Sequence, residues 1–379
     1  MKMKRKYQQC TNCVMDTTDS AITFDEKGVC DWCNDYYNNI LPGWKKVQQD
    51  KDALKKVAEE IKKAGEGKKY DCIIGLSGGV DSSYPCYVAK ELMGLRPLIY
   101  VVDTGWNLKI ADENIDKIVS KLNLDKYTEV IDWDEMKDLQ VAFLKSQVPY
   151  QDFPQDHAIF AGLYNYAVKN DIKYVLTGAN NATECIRPPM EWVYINDLKF
   201  MKDVHKKFGK KPLKTFPTCS MVKYRIMYPL FYGMKRVAPL DMVEYNKDKV
   251  KAFLQEKFDW TPYDNKHYED IFTRFYEGYY LPKKFGYDKR KSYLSNLILT
   301  GEITREEALK ELKKAPYPEE VAREDMCYIA NKLDMTVEEF EDLMKGENKT
   351  FKDYRNSYGF IQFGTFVLRI LGIEKKQFH

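Results

Sequence analysis

The chain has 379 residues, 44% of them apolar and 14% aromatic, which is globular material with room for two or three domains and at least one large core. Its 60 basic and 57 acidic side chains nearly cancel, to a net charge of +3. That balance argues against a dedicated duplex-binding protein, which carries a basic excess or stripe, while leaving room for a transient RNA substrate. The basic start MKMKRKYQQC runs into Thr, Asn and Asp without an apolar core, so it does not read as a signal peptide. No stretch reaches the ~18 apolar residues of a membrane span. The expectation is a soluble cytoplasmic protein with no membrane partner, in a compartment that keeps thiols reduced.

Residues 1–43 are poor in aliphatics and hold two Cys-x-x-Cys pairs, Cys10 with Cys13 and Cys30 with Cys33. In a reducing compartment this spacing matches a four-cysteine zinc ribbon, a closed structural site whose metal supplies the folding energy that so polar a segment lacks. An iron–sulfur cluster is the rival occupant of the same four thiolates. From Trp44 to Lys69, apolar Val47, Leu54, Val57, Ala58 and Ile61 predict one amphipathic helix, stopped by Gly65 and Gly67.

Residues 44–240 read as one α/β domain. Strands are predicted at Tyr70–Gly75, Pro97–Asp103, Tyr127–Ile131 and Lys173–Thr177. Helices alternate with them around Ser82–Met93, Ala111–Leu122, Glu135–Gln147 and Gln155–Lys169. Apolar strands alternating with helices predict a parallel sheet covered on both faces, with ligands beyond the carboxyl ends of its strands. Residues 241–379 lose the strand signal. Helical runs at Tyr245–Phe258, Tyr268–Tyr280, Lys289–Leu299 and Arg305–Leu312 predict a helical C-terminal region that closes over the sheet or mediates assembly.

The first strand runs directly into Leu76-Ser77-Gly78-Gly79-Val80-Asp81-Ser82-Ser83, with a helix following. Two glycines let backbone N–H groups wrap an anion, Ser77, Ser82 and Ser83 add hydroxyls, and the helix points its positive end at a phosphate. Asp81 would repel phosphate by itself, so it suits a Mg²⁺ ligand or a group tuning a bridging water. This segment resembles the PP-loop of the N-type ATP pyrophosphatases, and it lacks the Gly-Lys-Ser/Thr ending of a Walker loop. The resemblance implies ATP and Mg²⁺ as cofactors, with Asp81 and Ser82 at the reacting phosphates. Asp103, in Asp103-Thr104-Gly105, would flank the adenosine, although the same tripeptide also makes a plain turn. Thr177-Gly178-Ala179-Asn180-Asn181-Ala182-Thr183-Glu184 resembles the Gly-to-Glu segment of NAD synthetases. By that likeness Gly178 approaches the nucleotide and Glu184 is a second Mg²⁺ ligand; an Asn-rich surface turn is the plainer reading.

Adenylation turns an unreactive amide oxygen into a leaving group, which ammonia or a sulfur donor can then displace. Sulfur transfer to tRNA fits the ribbon but calls for catalytic cysteines in the α/β domain, where no close pair is present. Cys72 and Cys86 read as core, and Cys185 as buried packing, with a place near the active site beside Glu184 as its alternative. No Gly-x-Cys-x-Gly elbow or N-terminal cysteine marks a glutaminase within the chain.

Taken together, the Cys-x-x-Cys pairs, Gly75–Ser83, Thr177–Asn180 and Lys284-Phe285-Gly286-Tyr287-Asp288-Lys289-Arg290 resemble the N-acetyl sugar amidotransferases of bacterial surface-polysaccharide and nonulosonic-acid pathways. That family resemblance implies conversion of an acetamido group on a sugar to an acetamidino group, with ammonia from a separate glutaminase and a cyclase-like subunit. Lys289 and Arg290 are candidates for the sugar's phosphates or carboxylate, against the alternative of a solvated helix start. Thiolation of tRNA is the alternative chemistry, and an ATP-binding scaffold without turnover a third. Arg274, Tyr276, Tyr279 and Tyr280 read as core packing, and the four histidines show no ligand spacing or base role.

Overall fold

The computed structural model describes residues 5–194, 196–263 and 269–370. His267, His379 and the first residue of the predicted Tyr268–Tyr280 run lie outside them.

Five strands form one parallel sheet in the order β3-β2-β1-β4-β5: β1 Cys72–Gly75, β2 Pro97–Asp103, β3 Asp125–Val130, β4 Tyr174–Leu176 and β5 Lys235–Val237. The first four match the predicted strands to within two residues. β5 was not predicted: it is three residues of a mostly exposed Lys-Arg-Val edge, too short and polar for any periodicity to register. The central strands are apolar on both sides because both faces are covered. Ile73, Leu98, Tyr100, Val102 and Val175 point into one hydrophobic layer, and Cys72, Ile74, Ile99, Val101, Tyr174 and Leu176 into the other.

Helices Trp133–Ser146, Phe153–Lys169 and Leu198–Phe208 cover the first face; Ala53–Ala64, Val80–Tyr87 and Lys109–Lys121 cover the second. The single helix predicted over 44–69 is two helices, Leu41–Gln49 and Ala53–Ala64, broken at Asp50, whose carboxylate caps the turn by accepting from Asp52 N at 3.0 Å. The predicted Ser82–Met93 helix is α-helical only to Tyr87 and widens to π turns over Val88–Leu92. Pro85 sits inside it and cannot donate to the carbonyl of Asp81, one turn back.

The C-terminal helices include Lys247–Phe258, Ile271–Phe275 continuing as π turns to Phe285, Arg290–Leu299, Arg305–Leu312, Glu319–Lys332, Val337–Lys345 and Tyr358–Ile370. They do not stand apart from the sheet. Phe272, Phe275, Tyr276, Tyr280 and Ile329 enter the first layer, while Val250, Leu254, Phe258 and Trp260 enter the second. The aromatic stripe is core, as expected, and Arg274 forks onto buried Asp325 at 2.6 and 2.8 Å.

Residues 5–40 wrap around the four thiols through two short antiparallel bridges, Gln9 with Asp16 and Phe24 with Cys30. Cys10, Cys13, Cys30 and Cys33 are fully buried. They share a small core with Cys185, Ile186 and Leu299, so the N-terminal segment rests on the chain just beyond Glu184 and on the Arg290–Leu299 helix. Among the described residues no helix is long and apolar enough to cross a membrane.

Candidate active site

Strand order 3-2-1-4-5 means that the connections from β1 run one way and the return to β4 lands on the other side of β1. The crevice at the carboxyl ends of β1 and β4 is therefore the switch point of the sheet, where ligands bind in open α/β folds. The Ser77–Ser82 loop leaves β1 there, and Thr177–Glu184 leaves β4 beside it. A cavity of about 260 Å³ opens between them, lined by Ser77, Gly79, Asp81, Ser82, Gly178 and Glu184 among others.

Backbone geometry explains the glycines. Gly78 has φ +85°, and a Cβ there would lie 2.5 Å from the carbonyl oxygen of Ala111. Gly178 is tighter still: a Cβ would sit 1.9 Å from the Asp81 carbonyl oxygen. Gly178 thus lets the end of β4 press against the first turn of the loop helix, as well as lining the cavity. Within the loop, Ser82 Oγ accepts from Ser77 N at 3.2 Å, lies 3.0 Å from Ser77 Oγ and donates to the Gly79 carbonyl at 3.1 Å. Ser83 lies beneath this wall, fully buried, and its hydroxyl has no partner among the described residues.

Glu184 ends a loop built by Asn180, whose side-chain oxygen accepts from Thr183 N at 2.8 Å, and by Asn181, which donates to Asp241 at 2.7 and 2.9 Å. Burial pushes the Asp241 carboxyl up, against the two bonds from Asn181 that hold it down. Asp103 is turned into its own loop, accepting from Gly105 N at 2.8 Å, and does not line the cavity.

Sequence reasoning missed the opposite wall, Lys247, Lys251, Trp260, Tyr263, Glu269 and Tyr293, all from beyond residue 240. Trp260 Nε1 donates to the Gly78 carbonyl at 2.8 Å, and Ser77 Oγ lies 3.4 Å from Glu269. Asp81 accepts from the Tyr245 hydroxyl and lies 3.7 Å from Lys247 Nζ. Burial first, then the neighbouring carboxylates, push the Tyr245 and Tyr263 hydroxyls well above their usual range. One signal for Lys247 was legible. Lys247, Lys249 and Lys251 stand with a single acid, Asp248, in the first turns of a helix, against the macrodipole.

Lys289 and Arg290 lie outside this cleft. Lys289 pairs with Glu277, and Arg290 forks onto Asp288 at 2.7 and 3.0 Å while reaching the Lys314 carbonyl at 3.2 Å. Lys284 caps the Val337–Lys345 helix through the carbonyls of Met344 and Gly346, at 3.0 and 2.7 Å.

The four ribbon thiols lie within 4.8 Å of one another and could hold a metal ion. The Sγ separations run 3.6 Å for Cys30–Cys33, 3.7 Å for Cys13–Cys30 and 3.9 Å for Cys10–Cys33. Backbone N–H groups of Asn12, Cys13 and Cys30 point at Cys10 Sγ at 3.2–3.4 Å, dipoles that suit a thiolate. Cys72 and Cys86 are core, as expected. Cys185, next to Glu184 in sequence, turns into the ribbon core, where its thiol lies 2.8 Å from Asn296 Oδ1.

This sheet, with a Ser-Gly-Gly-Val-Asp-Ser loop at its switch point, defines an α/β fold like that of the PP-loop ATPases, carrying an N-terminal four-cysteine cluster and a helical C-terminal region. Residues 269–378 match the family model of the C-terminal domain of WbpG-like LPS biosynthesis proteins. The chain is 23% identical over 329 residues to the uncharacterized protein MJ1599 of Methanocaldococcus jannaschii, covering 83% of this chain and 97% of that one. Among solved structures, the U34-tRNA thiolase NcsA of Methanococcus maripaludis with its [4Fe-4S] cluster is 14% identical at a TM-score of 0.33, over 90% of each chain. The NMN synthetase of Francisella tularensis is 16% identical at a TM-score of 0.27, over 59% of this chain and 98% of that one. The NH3-dependent NAD synthetase of Campylobacter jejuni is 19% identical at a TM-score of 0.25, over 37% of this chain and 58% of its own. At TM-scores this low none of the three fixes a reaction.

Proposed function

We propose that this chain is a cytoplasmic, ATP-dependent amidotransferase that converts the acetamido group of a sugar to an acetamidino group. The observation that carries the proposal is the cleft itself: a glycine-serine loop, three carboxylates and two lysines lining one cavity at the switch point. The match of its C-terminal part to a domain of LPS biosynthesis proteins supports a sugar as the acceptor.

In the first step the acetamido oxygen attacks the α-phosphorus of ATP, and pyrophosphate leaves with the electron pair of the broken P–O bond. The Ser77–Ser82 amides and hydroxyls hold the departing phosphates. In the second step ammonia adds to the activated carbon and gives up a proton, and AMP leaves carrying the former acetamido oxygen. Asp81 and Glu184, both on the cleft, fit a Mg²⁺ that keeps several waters; it would neutralise phosphate charge. Ammonia would come from a separate glutaminase, with a cyclase-like subunit as its conduit.

For the ribbon, a tetrahedron with ~2.3 Å metal–sulfur bonds has edges of about 3.8 Å, which the thiol separations match. Clusters of two or four irons share the thiolates among separate metals and spread them further. Zinc held by Cys10, Cys13, Cys30 and Cys33 is the assignment this favours, and its task there is structural. The alternative of tRNA thiolation is disfavoured by Cys185, which turns away from the cleft into the ribbon core.

The deciding experiment incubates purified protein with ATP, Mg²⁺ and ammonium chloride, across N-acetylated sugars and bulk tRNA. The expected result is sugar-dependent release of AMP and pyrophosphate, a product one mass unit lighter, and ¹⁸O from a labelled acetamido group recovered in AMP. Turnover with tRNA alone would replace this reading with thiolation.

A further inference from the structure

Lys247 opens the helix Lys247–Phe258 yet is 7% exposed, an unusual place for an ammonium unless it has an anion to hold. Its position is fixed from three sides. Asn246 caps the helix by accepting from Lys249 N at 3.1 Å. Phe253 and Phe258 of the same helix pack on Tyr84 and Tyr87 of the loop helix, with centroids 4.7–6.2 Å apart. The ring of Tyr293, from the Arg290–Leu299 helix, lies 5.3 Å from Nζ. The result is an ammonium 3.7 Å from Asp81 and across the cleft from Ser77, Gly79 and Ser82. Lys251, one turn on, lines the same wall, with its side chain 35% exposed.

Asp81 also accepts from Tyr245, Lys251 lies 3.6 Å from Asp248, and Glu184 and Glu269 line the same cavity as the two lysines. Two cations at i and i+4, on a helix whose positive end faces an anion-cradling loop, make a receptor for an anion with charge at both ends. We infer that Lys247 and Lys251 form a pyrophosphate clamp, with Lys247 a catalytic residue that holds the β- and γ-phosphates of ATP and neutralises the charge they gain as the bond to the α-phosphorus breaks. The bond-breaking electrons leave with pyrophosphate. The inference rests on the ATP-using reading above and adds to it that the C-terminal region supplies half of the phosphate site.

The test is titration calorimetry of the full chain with magnesium pyrophosphate, using AMP as the comparison ligand. Lys247→Met is expected to weaken pyrophosphate binding about tenfold or more, as loss of a buried charge-assisted contact does, with AMP binding unchanged and Lys247→Arg recovering most of the loss. Lys251→Met, at a position open enough to tolerate it, is expected to weaken pyrophosphate alone by a smaller factor. Lys249→Met, on the exposed side of the same helix, is expected to change neither. In turnover, Lys247→Met should lower kcat more than it raises the KM for ATP. Wild-type affinity for pyrophosphate in a folded Lys247→Met protein would overturn the clamp and leave the ATP-using reading intact. A wild-type chain that binds neither ATP nor pyrophosphate would overturn both.

Discussion

Gly178 shows how little freedom the Ser77–Ser82 loop has. Any β-carbon at this position meets the Asp81 carbonyl at 1.9 Å, a backbone atom that cannot swing aside. Gly178→Ala is expected to push the end of β4 away from the loop helix, costing about 1–3 kcal/mol of stability by overpacking. Pyrophosphate release should fall on the order of 10²-fold, because ångström-scale displacement of positioning groups is enough for that. Thermal unfolding and the turnover assay read the two effects separately. His157 makes a second prediction at this scale. It is fully buried, its Nε2 accepts from Cys219 N at 3.3 Å, and its ring stacks on Phe153. Burial lowers its pKa to about 4, against an ordinary 6.5. Between those values the unfolded chain binds the extra proton. Stability from this group is therefore complete above pH 6.5 and is lost progressively down to about pH 4, by about 3 kcal/mol in full. His157→Gln keeps an acceptor for Cys219 and cannot titrate, so denaturant midpoints measured from pH 7 to 4 should fall less steeply than in the parent. A variant with the parent's slope would assign that acid sensitivity to other groups.

At the level of elements, the ribbon is the part that cannot stand by burial alone. Its polar turns enclose little beyond four thiols and a few neighbours such as Met15, Ile22 and Tyr36. Cys30→Ser is expected to abolish stoichiometric zinc, measured by elemental analysis, and to lower the unfolding temperature, since the free energy of binding a structural metal is folding free energy. One zinc per chain without the visible absorption of an iron–sulfur cluster is the expected composition of the parent. The loop helix is shaped differently. Its interior Pro85 is followed by π turns over Val88–Leu92, and Tyr84 and Tyr87 of its α-helical part pack against Phe253 of the Lys247–Phe258 helix.

Across the whole molecule, the ribbon, the α/β layer and the C-terminal helices are tied into one body around the cleft. Lys291 of the C-terminal region binds Asp16 of the ribbon at 2.6 Å, with only 15% and 1% of their side chains exposed. Burial pushes the Asp16 carboxyl up, but the bonds from Lys291 and Thr18 outweigh it and hold it below the usual range. Val14 N donates to Ser295, and Arg305 grips the carbonyls of Cys10 and Cys13 at 2.9 Å. Lys291→Met leaves a buried carboxylate without its cation, a change expected to cost about 3–5 kcal/mol. Because Cys185 and Ile186 carry the ribbon core to the Glu184 loop, calorimetry should show a single destabilised transition and the variant should lose activity as well. A separate early transition with activity retained would show the ribbon to be an independent appendage.

The sequence by itself determined what is local. Cysteine spacing gave the metal-competent cluster, the Gly-Gly-Val-Asp-Ser run gave the strand-to-helix loop at the switch point, and apolar strands between helical periods gave the parallel sheet, since each depends on neighbours a few residues away. The cleft's second wall was beyond that reach. Its contacts to Asp81, Gly78 and Ser77 come from residues 164 to 192 positions further along, brought there by helix packing that no spacing encodes. Tertiary structure likewise decided that Asp103 serves its own turn and that Lys289 and Arg290 are held by Glu277 and Asp288. A charged side chain takes whichever opposite charge the fold sets within ~4 Å, and only the closed chain determines which one that is.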